Sequence, residues 1–164
     1  MTVAGNRLSR IVAKTQKAPP FMQSWLLTKV FGTAIKFAGT AKVDIHHLSH
    51  QESRLTIKNR KRVQNHIGSV HACAMALLAE SATGYIVGMN VPDDRVPVIK
   101  SMHIDYVKRA TGDLHAVAHL TDEQIQQIQT TEKGEVTVAV TITDEKGVEP
   151  IKAEMIWTWT PKRR

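Results

Sequence analysis

The stretch Asn65–Met89, NHIGSVHACAMALLAESATGYIVGM, constrains the fold more than any other part of the chain. Between Ser69 and Gly88 the polar side chains are few, chiefly His71, Glu80, Ser81, Thr83 and Tyr85. A helix that is apolar nearly all round has to be buried, so the rest of the chain must wrap it. Ser69, directly after Gly68, is the expected N-cap. Ala72, Ala74, Ala76 and Ala79 are small enough to let neighbouring backbone approach closely. The run has the length to cross a bilayer, but Glu80 near its centre would cost several kcal/mol in lipid.

The segments after it alternate like strands of a sheet with one wet face. Val96–Lys108 is expected to put Val98, Met102, Ile104 and Tyr106 on one face, with Lys100 intruding. Leu114–Leu120 alternates Leu114, Ala116, Ala118 and Leu120 with His115, Val117 and His119. Glu135–Thr143 alternates Val136, Val138, Val140 and Ile142 with threonines and Ala139, and Ile151–Thr160 aligns Ile151, Ala153, Met155, Trp157 and Trp159. Asp144-Glu145-Lys146-Gly147 reads as a hairpin turn, and Thr121–Gln129 as a short helix capped by Thr121 or Asp122. Two further strands, Lys42–Ser49 and Arg54–Asn59, precede the long helix. The expected architecture is α+β: strands, one central helix packed on one face of an antiparallel sheet, then an antiparallel meander.

A chain of 164 residues holds one ordinary core. A single domain over 1–164 is therefore expected, with a basic N-terminal helical segment at 1–41 and the core at 42–164. In that segment Leu8, Ile11 and Val12 have helical spacing, Pro19 and Pro20 stop the first helix, and Phe21–Phe37 forms a second with Trp25, Leu26, Val30 and Phe31 as its apolar face. The net charge of +7 is concentrated here: seven basic residues and no acidic one precede Asp44, and the remainder is formally neutral. Such an arm favours anionic partners, a membrane surface among them. A nucleic-acid role is disfavoured because no helix-turn-helix or aromatic-basic platform stands out. The lone Cys73 excludes an internal disulfide and suits a reducing compartment, and with no secretory signal in view a cytoplasmic location is expected.

A buried carboxylate without a partner is costly and tends to be pushed up in pKa. Glu80 is therefore either a member of a structural ion pair or a base tuned for work near neutral pH. The start of its helix, with free backbone N–H groups flanked by Asn65 and His71, suits developing negative charge on a carbonyl oxygen. Glu80 lies nine residues beyond His71, roughly 13 Å along a helix. One carboxylate cannot serve a carbonyl bound at its own helix start over that distance. Two antiparallel copies across a two-fold axis can bring Glu80 of one to the helix start of the other, which predicts a homodimer with composite sites, with a dimer of dimers left open.

Asn65, Gly68, Ser69, His71 and Glu80 reproduce the pattern N-x-x-G-[ST]-x-H with an acid nine positions on. The pattern resembles the hotdog-fold acyl-CoA thioesterases of the phenylacetate-degradation type. The N-terminal helix, Asn65-His66, Pro92-Asp93-Asp94 and Asp105-Tyr106 resemble a bacterial hotdog branch of unknown function. The resemblance implies a hotdog fold and hydrolysis of an acyl-CoA or related acyl thioester, or, failing turnover, a non-catalytic module that binds such a ligand. By position it implies Glu80 as general base or nucleophile, the Ala72 N–H as oxyanion donor, Asn65 as the group that positions carbonyl or water, and His71 as a donor at the helix start. The chain departs from the pattern in having Ala72 and Cys73 where the family usually has two glycines, and glutamate where aspartate is more usual.

Each of these residues also has a plainer reading. Asn65 and Gly68 can form a turn before a capped helix, and Cys73 can be a small packed thiol. The run Asn59-Arg60-Lys61-Arg62 can be a solvated turn, or Arg60 and Arg62 can meet the phosphates of coenzyme A beside Ser69 and Cys73. Neighbouring histidines on a strand face opposite ways, and no cysteine or acid completes a set, so no metal and no other cofactor is expected.

Overall fold

The computed structural model of the protein describes residues 5–162. Helices α1 (Arg7–Thr15), α2 (Pro20–Ala34) and α3 (Lys36–Ala41) lead into strands β1 (Val43–Leu48) and β2 (Glu52–Ile57). A 3-10 turn at Lys61–Val63 precedes the long helix α4 (Ala72–Asn90). Then come β3 (Arg95–Tyr106), β4 (Leu114–His119), α5 (Asp122–Thr130), β5 (Gly134–Asp144) and β6 (Ile151–Pro161).

The six strands form one antiparallel sheet that wraps α4, the hotdog arrangement of the α+β class. By length and composition α4 could cross a membrane. Here it is the core: Leu78, Ala79, Ala82, Ile86 and Val87 are fully buried beneath Leu55, Leu114, Ala118 and Met155 of the sheet. Each large side chain so buried contributes about 1.5–3 kcal/mol, which is why the helix lies under the sheet.

The strand order is β1-β2-β4-β5-β6-β3, which corrects the expected meander. β3 does not pair with β4, its neighbour in sequence. It crosses to the far edge and pairs with β6 along its whole length, while β4 inserts between β2 and β5. β3 also departs from its expected face. The register shifts between Ile99 and Ser101, so Lys100 is an extra residue in a bulge. Pro97 and Ile99 lie opposite Trp159 and Trp157, and Met102, Ile104 and Tyr106 opposite Met155, Ala153 and Ile151, all on the helix side. Val96 and Val98 lie opposite Thr160 and Thr158 on the outer side, so Val98 does not share a face with Met102. The alternation expected for β4, β5 and β6 holds, with Leu114, Ala116, Ala118, Val136, Val138, Ile142, Met155 and Trp157 buried.

Pro20 opens α2 rather than merely closing α1, as its fixed φ allows at a first helical position. The packed face of α2 differs from expectation. Leu27 and Phe31 are buried, whereas Trp25 is 56% exposed. Ser24 Oγ donates to the Ile45 carbonyl and Thr28 Oγ1 accepts from the Ile45 N–H, so hydroxyls on this face satisfy the open edge of β1. α5 is capped by Thr121 in a reciprocal capping box with Gln124. In the turn after β5, Asp144 is buried and its carboxylate accepts from the N–H groups of Thr111, Lys146 and Val148.

Candidate active site

The loop before α4 explains why the helix starts later than the sequence suggests. The His71 N–H donates to the Val63 carbonyl, and Gln64 pairs with Val70 in an isolated bridge. That pairing keeps residues 64–71 extended or turned, so the N-cap is His71 and not Ser69. The His71 Nδ1 accepts from the Cys73 N–H at 3.1 Å. An acceptor Nδ1 puts the proton of the neutral ring on Nε2, which is left to donate. Among the described residues nothing accepts from the Ala72 N–H. The helix thus offers one uncommitted backbone donor and one ring donor side by side.

Asn65 builds the turn. Its Oδ1 accepts from the N–H groups of Ile67 and Ser69, and its backbone N–H donates to the Ser69 carbonyl. Only its NH2 group remains for a ligand. Gly68 has φ of 76°, the left-handed region that glycine adopts without strain. Ser69 is buried and accepts from Arg109 Nε at 3.3 Å, and the same guanidinium donates to the Ile67 carbonyl. Ser69 is therefore a tie-point of the loop, and it does not line either of the two cavities described below. The Tyr106 hydroxyl donates to the Ala72 carbonyl at 3.0 Å, joining β3 to the helix start. Arg109 was not singled out by sequence, and nothing in its surroundings there marks it; Tyr106 stood out as a strand-face residue and as half of the Asp105-Tyr106 pair, with no contact to the helix start expected of it.

Among the described residues, two cavities lie against α4. One of about 190 Å³ lies at its start and is lined by Phe37, Arg62, Gln64, His71, Cys73 and Leu77. Arg62 is thus brought beside His71 and Cys73, whereas Arg60 is exposed and lies outside this lining. The other, of about 400 Å³, holds Glu80 among Ile11, Phe31, Gly84, Tyr85 and Trp157. Glu80 makes no ion pair among the described residues. Burial pushes its carboxyl up from the ordinary glutamate range, against a smaller lowering pull from the Ser81 hydroxyl, whose buried Oγ makes no hydrogen bond of full geometry. Burial also pushes the Tyr85 phenol up to about 12. No group of three His, Cys, Asp or Glu side chains is positioned to hold a metal among the described residues.

Within one protomer, then, the helix start and Glu80 belong to separate cavities: His71 and Cys73 line the first, Glu80 lines the second, and Asn65 and Ala72 line neither. A lone raised carboxylate can take a proton from water, and a helix start with free N–H can hold an oxyanion.

The sequence profile of the family described as Domain of unknown function (DUF4442) matches residues 23–159. A Pseudomonas aeruginosa protein, described as of unknown function and as a "Probable Thioesterase", superposes with TM-score 0.75 at 25% identity, over 84% of this chain and 95% of that one. A mutant thioesterase from Pseudomonas aeruginosa superposes with TM-score 0.68 at 13% identity, over 83% and 93%. A thioesterase from Haemophilus influenzae does so with TM-score 0.67 at 11% identity, over 84% and 90%. The last two likenesses carry the hotdog fold alone. No curated protein matches the sequence.

Proposed function

The chain belongs to the DUF4442 family, and from that premise we propose that it is a homodimeric hydrolase of acyl thioesters, with acyl-CoA as the substrate class. The observation that carries this reading is Glu80: a carboxylate raised by burial, free of any cation among the described residues, at the wall of an apolar cavity. A purely structural carboxylate in such a place would be expected to have a guanidinium or several N–H groups around it. The Asn65, Gly68, His71 and Glu80 spacing supports the phenylacetate-degradation type of site, and the structural neighbours named as thioesterases support thioester hydrolysis at the general level only.

The dimer follows from two features. β3 is a long edge strand whose Val98, Met102 and Tyr106 are each about half exposed, an apolar edge of the kind that pairs with a second chain. Separation of Glu80 from its own helix start then makes an antiparallel partner the source of the missing half.

In the reaction the thioester carbonyl oxygen accepts from the partner subunit's Ala72 N–H and from Nε2 of the partner subunit's His71. Glu80 takes a proton from water as the oxygen of that water bonds to the carbonyl carbon. The tetrahedral oxyanion collapses, the carbon–sulfur bond breaks, and the leaving thiolate takes the proton that Glu80 holds, which restores the base; the products are a carboxylic acid and a free thiol. If Glu80 attacks directly instead, the thiolate leaves, an anhydride forms and water resolves it; attack of labelled water at the Glu80 carbonyl carbon would leave label in the Glu80 carboxyl after a single turnover.

The test is thiol release from a panel of acyl-CoAs by purified protein. Release that vanishes in a folded, dimeric Glu80→Gln supports the proposal. Saturable acyl-CoA binding with no release by the unaltered protein would instead make it a non-catalytic ligand-binding module.

A further inference from the structure

The cavity beside Glu80 is walled by a part of the chain that the proposed chemistry does not use. Leu8 and Ile11 of α1 and Val30, Phe31 and Ala34 of α2 close one side of it. The opposite side is α4, where Glu80, Gly84 and Gly88 recur every four residues and so share a face. The glycines leave that face bare because neighbours already press on it: a Cβ on Gly84 would lie 2.6 Å from the Trp157 ring, and one on Gly88 would lie 3.2 Å from Leu8. The result is a trough of about 400 Å³ running from the carboxylate towards the N-terminal helices. That volume falls in the range of about 300–1,000 Å³ usual for small-molecule sites.

Its chemistry is one-sided. Among the described residues, the ionisable side chains lining it are Glu80 and Tyr85, and no cation lines it. A second carboxylate at the far end of an acyl group would be buried with no cation to neutralise it, whereas a hydrocarbon would exchange water for apolar walls. Resting on the thioesterase reading above, we propose that this trough holds the acyl chain, that the substrate class is an uncharged apolar acyl group rather than a dicarboxylic one, and that α1 and α2 limit the length of chain accepted. The base and the acyl chamber then come from one protomer, and the oxyanion donors from its partner. This assigns the basic N-terminal segment a role in specificity.

Two measurements test it: kcat/KM for decanoyl-CoA, succinyl-CoA and acetyl-CoA, and calorimetric binding of the uncharged 1-decanol, which needs no turnover. Ala34 sits at the exposed mouth of the trough, so Ala34→Trp blocks it with little disturbance of the fold, and Ile11→Phe is the second variant should the first fail to fold. The expected result is a preference for decanoyl-CoA over succinyl-CoA in the unaltered protein. Ala34→Trp should lower the decanoyl-to-acetyl ratio ten-fold or more and weaken decanol binding to the same degree. Trp25→Ala, on the exposed face of α2, should leave both unchanged. Hydrolysis with an unaltered ratio and unaltered decanol affinity in a folded Ala34→Trp overturns the inference and leaves the thioesterase reading intact. Absence of thiol release from every thioester sinks that reading instead, and decanol binding, lost or kept in Ala34→Trp, then decides the trough by itself.

Discussion

His71 and Glu80 lie on the same helix but line different cavities, one at its N-terminal end and the other half-way along it. The separation is roughly 13 Å at the rise of an α-helix. In the proposed reaction water activation and oxyanion binding both have to reach one carbonyl, so the two residues would act together only across two chains.

Glu80→Gln keeps the size of the side chain and removes the base. Thiol release should fall by about 10²- to 10⁴-fold, the usual contribution of a general base, with the circular dichroism spectrum and the molecular mass unchanged. A variant that retains full activity would remove Glu80 from the mechanism.

The pH dependence has a defined sign. Because burial raises Glu80, kcat/KM should rise with pH through a value above the ordinary glutamate range, since only the ionised form can take the proton. Stability runs the other way at this residue. The folded state holds the proton more tightly than the unfolded state, so the contribution is present below the unfolded value and is lost as pH rises through the folded one. Asp144 is opposite: burial pushes it up, but the N–H groups of Val148, Thr111 and Lys146 outweigh burial and lower it, so its contribution is present above the unfolded value and lost as pH falls. Denaturation midpoints measured across pH should therefore lose acid sensitivity in Asp144→Asn, and in Glu80→Gln should lose the decline that sets in as pH rises above the ordinary glutamate range.

Met102 is 49% exposed on the helix side of the edge strand. Met102→Lys places a charge on the proposed interface. Sedimentation should show a shift from dimer to monomer, with loss of thiol release in parallel. Active monomers would break the composite-site argument.

Gly84 leaves no room for a larger residue, with the Trp157 ring 2.6 Å from where its Cβ would be. Gly84→Ala should destabilise the protein by about 1–3 kcal/mol in urea melts through overpacking. Trp157→Phe in the same chain should recover part of that loss, since the two substitutions share one contact.

Local patterns in the sequence carried much of this fold. Apolarity around the whole of α4 required burial, period-two alternation put Leu114, Ala116, Val136 and Met155 inward, and Thr121, one of two cap candidates, marked the start of α5. The spacing from Asn65 to Glu80 was enough to pose the chemical question. What the sequence could not disclose depends on contacts distant along the chain. Nothing near β3 says that it crosses to β6, and one extra residue at Lys100 reverses which side chains meet the helix, because the strand period is two. The N-cap passed from Ser69 to His71 because the Val63 carbonyl claims the His71 N–H. The trough exists only because α1 and α2 fold back over the bare face of α4, a closure made by packing between segments about seventy residues apart.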